Sequence, residues 1–321
     1  MKTFFRKPIV VFLLRLTFSI ILLALIINRI DIELVKDEIS RSNYWLFIGA
    51  VGITFFAWLI NVVKWRRIIL TMTDSPLSFW RLLALNFISY FYATALPGGL
   101  LIGEIAKGYR LLRNEKDKAR LALSIVLDRL TGFWGIMILG VGALVWPVTR
   151  VSPSLQWQLL LWLVVLLAGS LLSMIFFWKP ALLRILLAIP FLSDRIWYRV
   201  IIQKIEDALL FYRGNHRPMI VVVVLAVVFQ LVSSLSLFLL SLSLGLPISL
   251  LELIWVYAIV SILLFIPITV AGFGIREGSF LYFFSLLGIL PEKALGFAAL
   301  VFAVQLIFAL IGFLVLVFSR K

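Results

Sequence analysis

Pro267-Ile268-Thr269-Val270-Ala271-Gly272-Phe273-Gly274 interrupts a long apolar run, Leu251 to Leu290, and is followed at once by Ile275-Arg276-Glu277-Gly278. Proline removes a backbone N–H and glycine loosens the chain, so a helix entering this stretch is expected to stop there and a second one to start after it. A second run, Phe79 to Leu112, is cut in the same way at Leu96-Pro97-Gly98-Gly99. Each flanking piece is about 15 residues, or roughly 22 Å of helix. That is short for a hydrocarbon core of about 30 Å. Two re-entrant hairpins are the simpler reading. Broken backbone at membrane depth survives only when buried in protein or lining a wet cavity.

Around these two segments the sequence is almost entirely apolar. The 321 residues are 63% hydrophobic and 14% charged, with a mean hydropathy of +1.13. A soluble domain is nearer half apolar and a quarter charged. Six uninterrupted stretches have the length and apolarity of a spanning helix: Ile9–Ile27, Tyr44–Val63, Leu121–Val145, Trp157–Trp178, Met219–Leu244 and Ala294–Phe318. The N-terminal stretch has the charge of a secretory signal but no small-x-small cleavage site before Asn28, and is expected to be a retained first helix. The expected fold is therefore an all-α integral membrane protein of six full transmembrane helices plus two re-entrant helical hairpins.

Positive charge sets the expected orientation. The chain carries 30 Lys+Arg against 15 Asp+Glu, a formal +15, and the cations lie in short segments between apolar runs. That pattern belongs to cytoplasmic loops facing anionic headgroups rather than to nucleic-acid binding. Lys2, Arg6 and Lys7 place the N-terminus inside, and Ser319-Arg320-Lys321 does the same for the C-terminus. The mixed-charge loop Asn28–Asn43 falls outside, Lys64, Arg66, Arg67 and Arg81 inside, Trp146–Gln158 outside and Lys179–Arg217 inside. Both flanks of the first hairpin are then cytoplasmic and both flanks of the second are outside. The order of two helices, a hairpin and a helix occurs twice, over 1–146 and 157–321, as an inverted repeat. Paired Gly/Pro breaks in such a repeat point to a transporter-type site near the midplane; relief of helix packing is the plainer alternative. Within 179–217, Phe191–Tyr212 alternates apolar and charged residues as an amphipathic helix on the cytoplasmic interface would.

Charged groups within membrane segments are costly and mark function by default. Three sets stand out: Glu104, Lys107 and Arg110; Asp128 and Arg129; Arg276 and Glu277. Glycines precede a helix start at both breaks (Pro97, Gly98, Gly99; Gly272, Gly274), and exposed N–H groups there suit an anion. Arg276, Arg129 and Lys107 could add fixed charge, and arginine grips phosphate bidentately. Glu104, Asp128 and Glu277 would hold those cations or exchange a proton. The bland alternatives are a solvated turn for Glu104, Lys107 and Arg110, and an ion pair of Asp128 with Arg129 at the interface. Gln230 and Gln305 read as interhelical hydrogen-bond partners. With no cysteine and one histidine, His216 in a basic run, thiolate and multi-histidine metal sites are excluded. No cofactor is expected. No G-x-x-x-x-G-K-[ST] motif occurs, which argues against direct ATP hydrolysis.

Pro97-Gly98-Gly99…Gly103-Glu104…Lys107, Asp128-Arg129-Leu130-Thr131-Gly132 and Gly272-Phe273-Gly274-Ile275-Arg276-Glu277-Gly278 together resemble the successive motifs of the lysylphosphatidylglycerol synthase transmembrane-region family, flippase-like integral membrane proteins. The likeness runs through nearly the whole chain. The family's first motif reads Gly-Gly-Asp with an arginine a few residues on. Here Ile102-Gly103-Glu104 and Lys107 keep the charge signs with different side chains. The resemblance implies a multi-pass protein of a bacterial or archaeal cell membrane that moves or binds an anionic or isoprenoid-linked lipid. The soluble aminoacyl-transferase domain of bifunctional members is not in this sequence, so lysyl transfer is not expected. A membrane-embedded transferase acting on a lipid-linked substrate is a rival function, and so is a scaffold for a lipid- or glycan-modifying enzyme, as partner or homo-oligomer.

Overall fold

The computed structural model describes residues 16–17, 19–21, 24–26, 32–73, 77–96, 99–113, 115–146, 150–178, 217–265 and 269–319. Every regular element among them is a helix: α1 (Ile32–Ser40), α2 (Tyr44–Leu70), α3 (Phe79–Ala95), α4 (Leu100–Leu112), α5 (Lys118–Val145), α6 (Pro153–Trp178), α7 (Arg217–Ser243), α8 (Leu250–Phe265), α9 (Ile275–Leu286) and α10 (Pro291–Phe318). Five are long and apolar enough to cross a membrane, within α2, α5, α6, α7 and α10. They match five of the six expected spans, each lengthened by a few residues at one or both ends or shifted by one or two. Most of the sixth, Ile9–Ile27, lies outside the described residues, as do the interfacial segment Phe191–Tyr212, His216, Pro97 and Gly98.

Both interruptions fall where proline and glycine put them. The first run divides into α3 and α4, with Gly99 at φ +52° as the N-cap of α4. The second divides into α8 and α9, and there Ala271, Gly272 and Gly274 all have positive φ (53°, 80° and 84°). That left-handed region is cheap only for glycine. The segment 28–43 is not the plain loop expected: α1 forms inside it and packs on α10.

α2 and α7 form the longest helix–helix contact, and they run antiparallel. Asn43 N–H donates to the Ser243 carbonyl at one end, and the Ser236 hydroxyl donates to the Ala50 carbonyl further along. Small residues let other pairs close in, as in membrane helix packing generally. A Cβ on Gly312 of α10 would sit 2.1 Å from the Phe87 carbonyl oxygen of α3. One on Gly140 of α5 would sit 2.7 Å from the Ala258 methyl of α8, and one on Gly103 of α4 would sit 2.4 Å from the Ser89 carbonyl oxygen of α3. The large buried side chains Trp65, Trp134, Trp255, Phe284, Phe297 and Phe308 fill the space between.

Candidate functional site

The first two charged motifs meet. α4 lies between α3 and α5, and the Gly103–Ser89 approach brings the polar face of α4 against both. Glu104 and Lys107, one turn apart on α4, are ion-paired at 3.0 Å. Arg129 of α5 pairs with the other oxygen of Glu104. Lys107 also lies 3.6 Å from Asp128 and donates to Asn86 Oδ1 of α3 at 3.4 Å, with its ammonium 4.3 Å from the centre of the Trp65 ring. The Ser89 hydroxyl donates to Glu104. Thus α2, α3, α4 and α5 all supply groups.

Lys64 completes the network, and the sequence reading missed it. It was expected among the cytoplasmic loop cations. Instead α2 runs seven residues past Val63, to Leu70, and Lys64 is buried, 3.1 Å from Asp128 Oδ1 and 3.0 Å from the Asp128 carbonyl. The signal available in the sequence was its position, one residue beyond an apolar stretch and beside Trp65. The solvated-turn alternative for Glu104 and Lys107 is overturned, since Lys107 is 0% exposed. The alternative of a simple ion pair between Asp128 and its neighbour Arg129 is not what the structure shows. Adjacent helical side chains diverge, so Asp128 turns to the two lysines and Arg129 to Glu104.

In their ordinary ionisation states Lys64, Lys107 and Arg129 against Glu104 and Asp128 leave one positive charge in excess. Arg129 is the open member, its side chain 37% exposed against 4% or less for the two lysines and Asp128. Two donors here, Asn86 Nδ2 and Arg129 Nε, and two acceptors, Glu104 Oε2 and Asp128 Oδ1, are buried without a hydrogen-bond partner among the described residues, the two acceptors being held by lysine ion pairs instead. Buried donors are seldom left unpaired. The arrangement is a cation-rich recess able to accept an oxyanion.

The third motif builds a separate and self-contained network. Glu277 accepts the Gly274 N–H at 2.7 Å, capping α9, and accepts from Arg276 Nε at 3.0 Å through its other oxygen, which also meets Nη2. Arg276 Nη1 donates to Gln305 Oε1 of α10 at 2.6 Å, and Gln305 Nε2 donates to Thr94 Oγ1 of α3. The guanidinium lies beside the Phe273–Phe302 pair, 5.7 and 5.0 Å from the ring centres. Gln305 is thus the interhelical partner expected, and Gln230 is another, donating to the Gly132 carbonyl of α5. Of the expected site residues, the structure gathers Glu104, Lys107, Asp128 and Arg129 in one place. It sets Arg276, Glu277, Gly272 and Gly274 in another, and α3 touches both.

A search of the curated proteins returns no match. The family model described as the lysylphosphatidylglycerol synthase TM region matches residues 12–312, which take in both networks and both breaks, and the chain belongs to that family.

Proposed function

We propose that the chain is a flippase-like transporter that binds an anionic lipid headgroup, a phospholipid or a polyprenyl-phosphate-linked lipid, in a bacterial or archaeal cell membrane. The observation that carries this is the charge balance between α2, α4 and α5: three cations share two carboxylates, Arg129 is half-open although paired with Glu104, and Arg129 Nε and Asn86 Nδ2 are buried without an acceptor among the described residues. Buried charge is retained inside apolar bundles where it serves a pathway or a ligand. Arg129, Lys107 and Asn86 would hold the oxyanion. Arg276, whose donors already serve Glu277 and Gln305, would act as a latch between α9, α10 and α3 rather than as a second phosphate grip.

An inverted repeat with two re-entrant hairpins is the architecture this reading needs, and the packing supports it. Exchanging α2 with α7, α3 with α8, α4 with α9 and α5 with α10 turns most principal helix contacts into one another: α3–α10 into α8–α5, α4–α5 into α9–α10, α2–α3 into α7–α8. Gly312 against α3 and Gly140 against α8 are the two close approaches of one such exchanged pair. The antiparallel α2–α7 contact is the one that maps onto itself.

The test is native mass spectrometry of detergent-purified protein beside Arg129→Ala and Arg276→Ala, with transbilayer movement measured in proteoliposomes. One anionic lipid class retained by the wild type, and about tenfold or more depleted on Arg129→Ala, is the result expected for loss of a charge-assisted contact. Equal retention of bulk lipid by all three proteins, with unchanged transbilayer movement, would move the assignment to a scaffold role.

A further inference from the structure

α3 and α10 touch backbone to backbone at Phe87 and Gly312 and are bridged by side chains further along, where Gln305 donates to Thr94. The gap between them is a cavity of about 410 Å³, within the range of small-ligand sites. Its walls include two aromatic pairs, Phe91 with Phe313 at 5.4 Å and Phe273 with Phe302 at 4.9 Å. Ala309 leaves room between them, and no charged side chain lines it. Thr94, its one polar lining residue, is already engaged by Gln305.

We propose that this cavity is a hydrocarbon-chain subsite for the lipid whose headgroup lies at Arg129, an assignment that rests on the functional reading above. Three observations favour a lipid chain over a protein segment. The mouth is formed by Leu306, Leu310 and Phe313, all exposed on α10, a helix long and apolar enough to cross the membrane; the medium it opens to is acyl chain. The polar groups behind the wall are satisfied among themselves, so nothing in the cavity asks for a hydrogen-bonding guest. The same helix that lines it, α3, carries Asn86 and Ser89 of the charged recess. Ser89 and Thr94 are five residues apart, about 7.5 Å along a helix axis and about 140° around it, so one molecule reaching both places would pass around α3.

The geometry gives Phe273 and Phe302 a double duty. They face the chain on one side and stack on Arg276 on the other. A chain in the cavity therefore presses on the residues that hold the Arg276–Gln305–Thr94 latch.

The experiment uses the full chain in phosphatidylcholine nanodiscs containing phosphatidylglycerol with a photoactivatable diazirine midway along one acyl chain. Crosslinked peptides are mapped by mass spectrometry for the wild type, Ala309→Trp, which fills the cavity, and Leu306→Trp, which blocks its mouth from an exposed position and spares the packed core. Labelling concentrated on the α3 and α10 segments around Phe91 and Phe302, and cut fivefold or more by either substitution, is expected. Labelling spread equally over exposed apolar helices such as α6, and unchanged by both tryptophans, would overturn the subsite. The same probe on a phosphatidylcholine head separates the two claims. Equal cavity labelling by both probes would keep the chain subsite and discard the anionic-headgroup assignment.

Discussion

Lys64 and Asp128 form an ion pair at 3.1 Å between α2 and α5, with both side chains at least 96% withdrawn from solvent. The pair is tied down further by the Lys64 ammonium donating to the Asp128 carbonyl. Asp128 also faces Lys107 at 3.6 Å, so one carboxylate serves two buried cations. This asymmetry gives an ordered prediction. Asp128→Leu strands the Lys64 ammonium and leaves Lys107 with Glu104 alone, and is expected to destabilise by about 5 kcal/mol, whereas Lys64→Met leaves Asp128 still compensated by Lys107 and is expected to cost nearer 3 kcal/mol. Removing both partners together, Lys64→Met with Asp128→Leu, should cost less than Asp128→Leu alone. Unfolding of the detergent-solubilised variants checks the order. A double variant as unstable as the sum of the singles would show that the two charges do not act as a pair.

Much of the fold could be read because bilayer dimensions force it. Apolar stretches of spanning length gave α2, α5, α6, α7 and α10 to within seven residues at either end, and Pro97-Gly98-Gly99 and Pro267 to Gly274 located both breaks. Periodicity could not give the partner of each charge, which is a matter of which helix lies against which. Asp128 and Arg129 are neighbours in sequence and look like a pair, yet on a helix they point about 100° apart. Lys64 was hidden for a related reason. A lysine just past an apolar run reads as a loop residue, and only the extension of α2 to Leu70 carries it into the bundle. α1 escaped because nine residues with four charges carry no spanning signal.

Helix approach at Gly312 makes a second expectation. Its missing side chain admits the Phe87 carbonyl, and the Cβ of an alanine would sit 2.1 Å from that oxygen. Gly312→Ala should force α10 off α3 and destabilise by about 1–3 kcal/mol, the usual range for overpacking. Gly142 of α5 is the control, since a Cβ there meets nothing within 4 Å. Gly142→Ala should be neutral or stabilise by up to about 1 kcal/mol through helix propensity. Comparing apparent melting temperatures of the two alanine variants settles whether backbone contact, rather than glycine content, holds the bundle here.

Gln230 offers a milder test of interhelical hydrogen bonding. Its Nε2 donates to the Gly132 carbonyl at 2.9 Å, one turn beyond Asp128 on α5. Bonds of this kind between membrane helices are worth about 0.6 kcal/mol on average. Gln230→Leu is expected to lower stability by that order and to leave anionic-lipid retention intact, because no group of the recess depends on it for an ion pair. A large loss of retained lipid in that variant would extend the recess to α7.

The turn before α9 yields the last prediction. Ala271, Gly272 and Gly274 lie in the left-handed region within four residues, and the N–H of Gly274 is the donor that Glu277 accepts while its other oxygen holds Arg276. Gly274→Ala should cost about 1–2 kcal/mol for the left-handed conformation alone. At Ala271 the same penalty is already present, so Ala271→Gly removes it but adds the conformational freedom of glycine to the unfolded chain; the two effects offset to within about 1 kcal/mol. Glu277→Gln keeps an acceptor for the cap and removes the charge opposite Arg276, which leaves a buried guanidinium paired only with neutral Gln305. That change is expected to cost about 3 kcal/mol or more, exceeding Gly274→Ala although it preserves the backbone. The reverse order in thermal unfolding would mean that the turn is held by its own geometry and that the Arg276–Glu277 pair contributes little to it.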